Sequence, residues 1–374
     1  MLRKRTVRAL IAGLLCAFAL LARPSVAAPP VYKVVDLGVL PGGDQSLGFG
    51  IGYFASAVGR STNASGHNEA FYWAGGSMFG LGTLPGYTDS VAEGVTEFAP
   101  FFPVIVGYSF NTLVPDDSRA LVSVFGFMLD LGSLGGPNSR AHAIAGQGFI
   151  VGESQLAQAP PDIRHAFRTQ PFSFLNPLTD DLGTLAGADS SFATAVNNGA
   201  QVTGQSGGHA YRTAPFSKIN PATDDLGTLG GSFSIGFGIN QAGIVVGLSN
   251  TADISPTTGE PIDHAFLADA TGMHDLGTVP GYENSSAAAI NDLNQVVGII
   301  GNAPPDFHAM IWDSTHGMRD LNTLISPRLG WLLQAARAIN NRGQIVGWGL
   351  HHGRLHAFLL RPSRTVPLHS PRNA

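Results

Sequence analysis

Ser234-Ile-Gly-Phe-Gly-Ile-Asn240, Gln241-Ala-Gly243 and Ile244-Val-Val-Gly-Leu-Ser249 are followed by His264-Ala-Phe-Leu267 and Met273-His-Asp-Leu-Gly277. Two runs of strand-forming residues joined by a glycine-bearing turn read as a hairpin, strands A and B. After an insertion, His264 opens a third strand, C. Gly272 turns the chain and Met273 opens a fourth, D. Four strands in about 47 residues correspond to one blade of a β-propeller.

The same phrase recurs along the chain. Asp-Leu-Gly begins at Asp36, Asp130, Asp181, Asp225 and Asp275. It is altered to Gly80-Leu81-Gly82 and to Asp320-Leu321-Asn322, and the steps between markers are 44, 50, 51, 44, 50 and 45 residues. A period of this size signals stacked supersecondary units, here seven. Strand B is apolar on both faces (Val296-Val297, Ile345-Val346), as expected where blades pack radially, whereas a half-solvated sheet would alternate. A glycine recurs in strand B of every unit: Gly59, Gly107, Gly152, Gly204, Gly247, Gly298 and Gly347. Such a glycine predicts a bulge or a close backbone approach.

The ends predict closure. Val31–Gly38 is a D strand with no A, B or C before it, and Arg354–Leu360 is a C strand with no D after it. Pairing them completes the seventh blade and removes an exposed sheet edge. The expected fold is all-β, a seven-bladed propeller over residues 31–361 closed by its N-terminal strand. An open repeat array is the alternative.

Residues 1–27 read as a secretory signal peptide, with basic Arg3, Lys4, Arg5 and Arg8, an apolar run from Ala9 to Ala22, and small Ser25 and Ala27 before the cleavage point. The expected location is therefore extracytoplasmic, secreted or periplasmic. Cleavage removes Cys16, the single cysteine, so the fold must stand without disulfides. It also takes five of the 21 basic residues and none of the 26 acidic ones, leaving 16 against 26, net −10. That balance argues against nucleic acid or an anionic membrane as partner. No later apolar run is long enough to span a bilayer. Residues 362–374 read as a disordered Pro/Arg/Ser tail, and the chain as a monomer.

The triplets His165-Ala-Phe167, His264-Ala-Phe266 and His356-Ala-Phe358 have variants His209-Ala-Tyr211 and His308-Ala-Met310. With Ala338-Ile-Asn340, Gly343-Gln-Ile-Val-Gly347 and Asp225-Leu-Gly-Thr-Leu-Gly-Gly231, they resemble the HAF repeat family of bacterial extracellular proteins. The resemblance runs through nearly the whole chain after the signal segment. It implies a repeat architecture and no established activity. Glu69 and Arg119 stand where the first two units would carry the histidine.

Candidate chemistry is sparse. The repeated histidines start strand C of separate blades, roughly 10 Å or more apart at face-to-face sheet spacing, too far for one ion. His351, His352 and His356 are the exception, because a hairpin can bring two of them together; they are the single metal candidate. The Asp of Asp-Leu-Gly is expected to anchor a turn through backbone N–H groups. Adjacent Asp180-Asp181 and Asp224-Asp225 point to opposite faces of a strand and make no glycosidase pair. His-Glu-x-x-His and P-loop motifs are absent from the sequence, and no cofactor is implied.

What varies between units is where function is expected. The B–C insertions are Phe110–Ser118, Gln155–Arg164, Asn250–Asp263 and Gly301–Asp306. They should share a rim with the D–A connectors. That rim carries Asp116, Asp117, Asp162, Asp253, Glu260, Asp263 and Asp306, the aromatics Tyr87, Phe233 and Tyr282, and Arg164 as its main basic residue. The expected function is non-catalytic binding of an extracellular glycan, peptide or basic protein surface. The alternative is a propeller hydrolase or lyase acting on extracellular carbohydrate.

Overall fold

The computed structural model describes residues 32–97, 102–114, 116–157, 159–160, 163–302 and 306–363. Residues 1–31, Asp162 and residues 364–374 lie outside them, and with them the expected signal peptide and all but two residues of the expected tail. The described residues form seven antiparallel sheets, each built from consecutive strands, with one exception at the chain ends. The A strands are Ser46–Ile51, Asp89–Glu97, Gly135–Ile144, Ser191–Val196, Gly230–Ile239, Asn284–Ile290 and Trp331–Ile339. Each lies against the A strands of the blades before and after it, and the seventh returns to the first. The repeat therefore closes into a ring.

Closure occurs as the sequence predicts. Strand Tyr32–Gly38 pairs antiparallel with the last strand, Arg354–Pro362, from Tyr32 opposite Pro362 to Gly38 opposite Ala357. It becomes strand D of blade 7. In blades 3 and 4 the expected D strand is reduced to one bridge each, Phe167 to Asp181 and Tyr211 to Asp225, so those sheets have three strands. The insertion Asn250–Asp263 is not an irregular loop. Strands B (Val245–Ile254) and C (Pro261–Ala268) of blade 5 continue into it, pairing Asn250 with Asp263 and Ile254 with Pro261, and only the tip turns.

The strand-B glycine has a single cause in all seven blades. A Cβ there would lie 1.9 Å from a strand-A carbonyl oxygen, Ile235 O in the case of Gly247. In blades 1, 5 and 7 it would also meet the ring of the triplet phenylalanine: Phe71, Phe266 or Phe358, at 2.8–2.9 Å. The predicted close approach is thus present, but the bulge lies in strand A, between Gly236 and Gly238 in blade 5 and at the matching place in every other blade.

The triplet divides its work between the two faces of each blade. Its alanines (Ala70, Ala120, Ala166, Ala210, Ala265, Ala309, Ala357) and its third residues (Phe71, Leu121, Phe167, Tyr211, Phe266, Met310, Phe358) are wholly buried. A fully buried side chain of the second kind contributes about 1.5–3 kcal/mol, so seven of them form a large part of the inter-blade core.

Candidate functional site

The repeated polar residues are occupied in holding the blades. In blades 3 to 7 the triplet histidine bonds the Asp of its own blade through Nδ1, for example His264 to Asp275 at 2.8 Å and His165 to Asp181 at 2.9 Å. Each of these aspartates also accepts the backbone N–H two residues on, as Asp225 does from Gly227 at 2.8 Å. The aspartate is a turn anchor, and the histidine steadies it. The two exceptions keep the same chemistry. Arg119 donates to Asp130 at 2.9 Å in blade 2. In blade 1, where Gly80 replaces the aspartate, Glu69 supplies the carboxylate from the other strand and accepts from Gly82 N.

A buried serine joins each blade to the one before it. Ser234 Oγ donates to Gly227 O and accepts from Ala210 N at 2.8 Å. Ser46, Ser90, Ser139, Ser191 and Ser285 do likewise. Blade 7 lacks this serine. There Asn322, the altered last residue of the marker, bonds both the N–H and the carbonyl of Leu333. The recurrence of serine at strand-A starts was the signal that could have revealed this joint.

On the face carrying the A–B turns, side-chain amides link neighbouring turns. Asn197 Nδ2 donates to Asn240 O, Asn240 Nδ2 to Asn291 O, Asn291 Nδ2 to Asn340 O, and Asn340 Nδ2 to Gly52 O, at 3.0–3.4 Å. Gln147 N donates to Asn198 Oδ1, and Phe54 N to Glu97 Oε2. Among the described residues, this ladder crosses every junction from blade 3 round to blade 2. The remaining junction, between blades 2 and 3, holds something else.

There a cavity of about 650 Å3 opens, with walls almost entirely apolar. Phe102, Val124, Phe125, Leu129, Phe172 and Phe174 line it, and among the described residues Ser173 is the single polar residue of its wall. Val122 and Ile150 form its floor from the buried core. Three of these side chains are more than half exposed, Phe125 at 67%, Phe174 at 58% and Phe172 at 52%, and Phe102 and Leu129 come close to it. Phe102 and Phe125 meet edge to face at 5.5 Å. Phe125 sits at φ 53° in a two-residue turn with Gly126, and Phe172 also has φ 53°. The matching turn of blade 1 uses Gly75-Gly76. A bulky residue in the left-handed region costs roughly 1–2 kcal/mol, so exposed phenylalanine is held there against backbone preference.

The acidic rim lies on the opposite face. Asn111, in the blade 2 insertion, accepts from Thr88 N and donates to Gly86 O, so the B–C insertions and D–A connectors do share a face. Several of its carboxylates bond within the chain. Asp116 pairs with Arg164 at 3.3 Å, and Arg164 also reaches Glu153 at 3.4 Å. Asp117 accepts from Asn111, and Asp263 from Asn250. Burial and the neighbouring Asp117 raise the Tyr87 hydroxyl above its usual range. Tyr282 shares a hydrogen bond with His308 at 3.0 Å. Phe233 is partly buried, while Asp253 and Glu260 are exposed in the blade 5 insertion and Asp306 is exposed in blade 6. The rim residues do not form one cluster.

The three candidate metal ligands separate into two roles. His351 ends strand B rather than lying in a loop, and His352 (φ 49°) and Gly353 (φ 81°) form the two-residue turn. His351 and His356 both face Asp36, the closure-strand aspartate that sequence reading had treated only as a turn anchor. His352 lies against His351 with its ring tilted by 39° but is not part of that group.

No protein-family model and no curated protein matches the sequence. Among solved structures of similar shape is a puromycin-hydrolysing peptidase of Mycobacterium tuberculosis, at 15% identity and TM-score 0.44 over 86% of this chain. This chain spans 52% of that peptidase. A gluconolactonase from Xanthomonas campestris matches at 12% identity and TM-score 0.41, over 90% of this chain and 92% of that one. The β-propeller domain of the Trilobed protease from Pyrococcus furiosus matches at 10% identity and TM-score 0.45, over 91% and 98%.

Proposed function

We propose that this β-propeller is an extracytoplasmic, HAF-type, non-catalytic binding protein whose ligand is a small apolar molecule held in the cavity between blades 2 and 3. The observation that carries this reading is the conjunction at that junction. From blade 3 round to blade 2 side chains bridge the A–B turns, five junctions by amides and one by Glu97, and between blades 2 and 3 exposed phenylalanines surround a space of about 650 Å3. Sites for small ligands have volumes of about 300–1,000 Å3 and predominantly apolar, aromatic walls with few polar groups. The acidic rim favours this choice of face by contrast, since Asp116, Asp117 and Asp263 are satisfied inside the chain.

Equilibrium titration with 8-anilinonaphthalene-1-sulfonate tests the reading. One saturable site per folded chain is expected, weakened by Phe174→Asp. Absence of saturable binding would overturn the placement. Turnover of a glycan or ester substrate by the purified protein would overturn the non-catalytic part.

A further inference from the structure

We propose that Asp36, His351 and His356 form a binding site for a divalent transition-metal ion that pins the closing strand of the ring. Five blades carry the same histidine–aspartate pair, and in blades 3 to 6 the pair serves its turn. Blade 7 adds a second imidazole. The strand-B residue in the place of His351 is Leu156 in blade 3, Gly208 in blade 4, Thr251 in blade 5 and Asn302 in blade 6. None of these is a metal ligand of comparable strength. The repeat thus supplies four internal controls in which the pair exists without the third group.

The geometry suits an ion. His351 lies opposite Arg354 and His356 opposite Gly349, so the two imidazoles are diagonal neighbours on one face of the sheet. Asp36 reaches the same face from the adjoining strand. His351 Nδ1 lies 2.9 Å from Asp36 Oδ2, and His356 Nδ1 lies 3.0 Å from both carboxylate oxygens. All three ligand atoms lie within 4.8 Å of one another. With Zn–N near 2.0–2.1 Å and Zn–O near 2.0–2.2 Å, tetrahedral ligand atoms stand roughly 3.3 Å apart, so a few tenths of an ångström of spreading admits the ion. Each imidazole then takes its Nε2–H tautomer and presents the Nδ1 lone pair.

Orientation is already set. The Trp331 ring stacks on His351 at 4.5 Å and 3°. Asp36 accepts from Gly38 N at 2.8 Å. The partial exposure of all three side chains leaves a fourth position for water. Two imidazoles and a carboxylate suit zinc and its first-row neighbours rather than calcium or magnesium, which take oxygen ligands.

Placement gives the ion a consequence. Asp36 is separated from His351 by 315 residues of chain and from His356 by 320. An ion bound by both ends clamps the closing strand to the last blade and stabilises the closed ring by mass action.

The test is zinc titration of tag-free, chelator-treated protein, read by calorimetry and by the melting temperature, with cobalt absorption as a spectroscopic check. One ion per chain is expected, with a raised melt and a four-coordinate cobalt spectrum. His351→Ala should weaken zinc binding by at least about 100-fold, beyond the 10–100-fold typical of changes outside the ligand set. His264→Ala, in a blade with the pair alone, should leave it unchanged. If His351→Ala misfolds, His351→Gln gives the same comparison. No zinc binding by the wild-type protein, or equal binding by the His351 variant, would overturn the site.

Discussion

The junction between blades 4 and 5 and that between blades 2 and 3 are built on the same repeat and differ in what seals them. At the first, Asn197 and Asn198 reach across to Asn240 and Gln241. At the second, phenylalanines surround a cavity. The difference teaches how to read a degenerate repeat: residues that recur carry the joint, and function is sought where the sequence departs from them. The largest disturbance of the common frame would be loss of the closing strand. Removing residues 32–38 leaves blade 7 without strand D, uncovers an edge and takes away buried Tyr32 and Leu37. It should abolish the cooperative melt and produce aggregates, as seen by light scattering; an unaltered melt would mean that closure contributes nothing.

Next in size is the strand-B glycine. Gly247→Val sets a branched side chain where a Cβ already stands 1.9 Å from Ile235 O. The expected loss exceeds about 4 kcal/mol in chemical denaturation, the range of severe core overpacking and backbone displacement. A loss near that of a surface change would show that strand A can retreat.

Asn240→Ala sharpens the comparison. It removes bonds to Asn291 O and to Asn294 Oδ1 across the junction between blades 5 and 6. About 1–3 kcal/mol should be lost, since buried carbonyl partners are left unpaired. Stability unchanged by this substitution would mean that the ladder is incidental.

The smallest effect concerns pH. Burial alone would raise the Asp89 carboxyl, but bonds from Thr88, Asn68 and Thr112 hold it below the ordinary carboxylate range. A depressed folded pKa contributes stability that is fully present above the unfolded value, about 3.9, and is lost as pH falls through the folded value. Wild-type stability should therefore fall below about pH 4 more steeply than that of Asp89→Asn, as acid melts would show; parallel acid melts would contradict it.

The ring, its seven units and its mode of closure were legible because period and strand pattern are local properties of the sequence. The glycine was legible as a close approach but not as a neighbour of a bulge, since the bulge is a register shift between two strands. Asn250–Asp263 read as a loop because Asn250, Asp253 and Pro261 are poor strand residues, yet the preceding hairpin propagates pairing into them. The metal candidate was half legible. His351 and His356 stood out by proximity, but Asp36 joins them only once the ring has closed. The cavity could not be read, because its phenylalanines come from turns of two blades whose exposure depends on packing between them.

The amide ladder and the phenylalanine-lined cavity have separate roles, and two variants test that division in one crossed measurement. Leu129→Asp places a charge in the cavity wall, and Asn240→Ala breaks the ladder far from it. The melting temperature and 8-anilinonaphthalene-1-sulfonate affinity of both are compared with the unaltered protein. The account predicts that Leu129→Asp keeps its melt and loses the probe, whereas Asn240→Ala melts lower and keeps it. The probe bound equally by Leu129→Asp, or lost with the ladder instead, would contradict the claim that the cavity between blades 2 and 3 is the binding site.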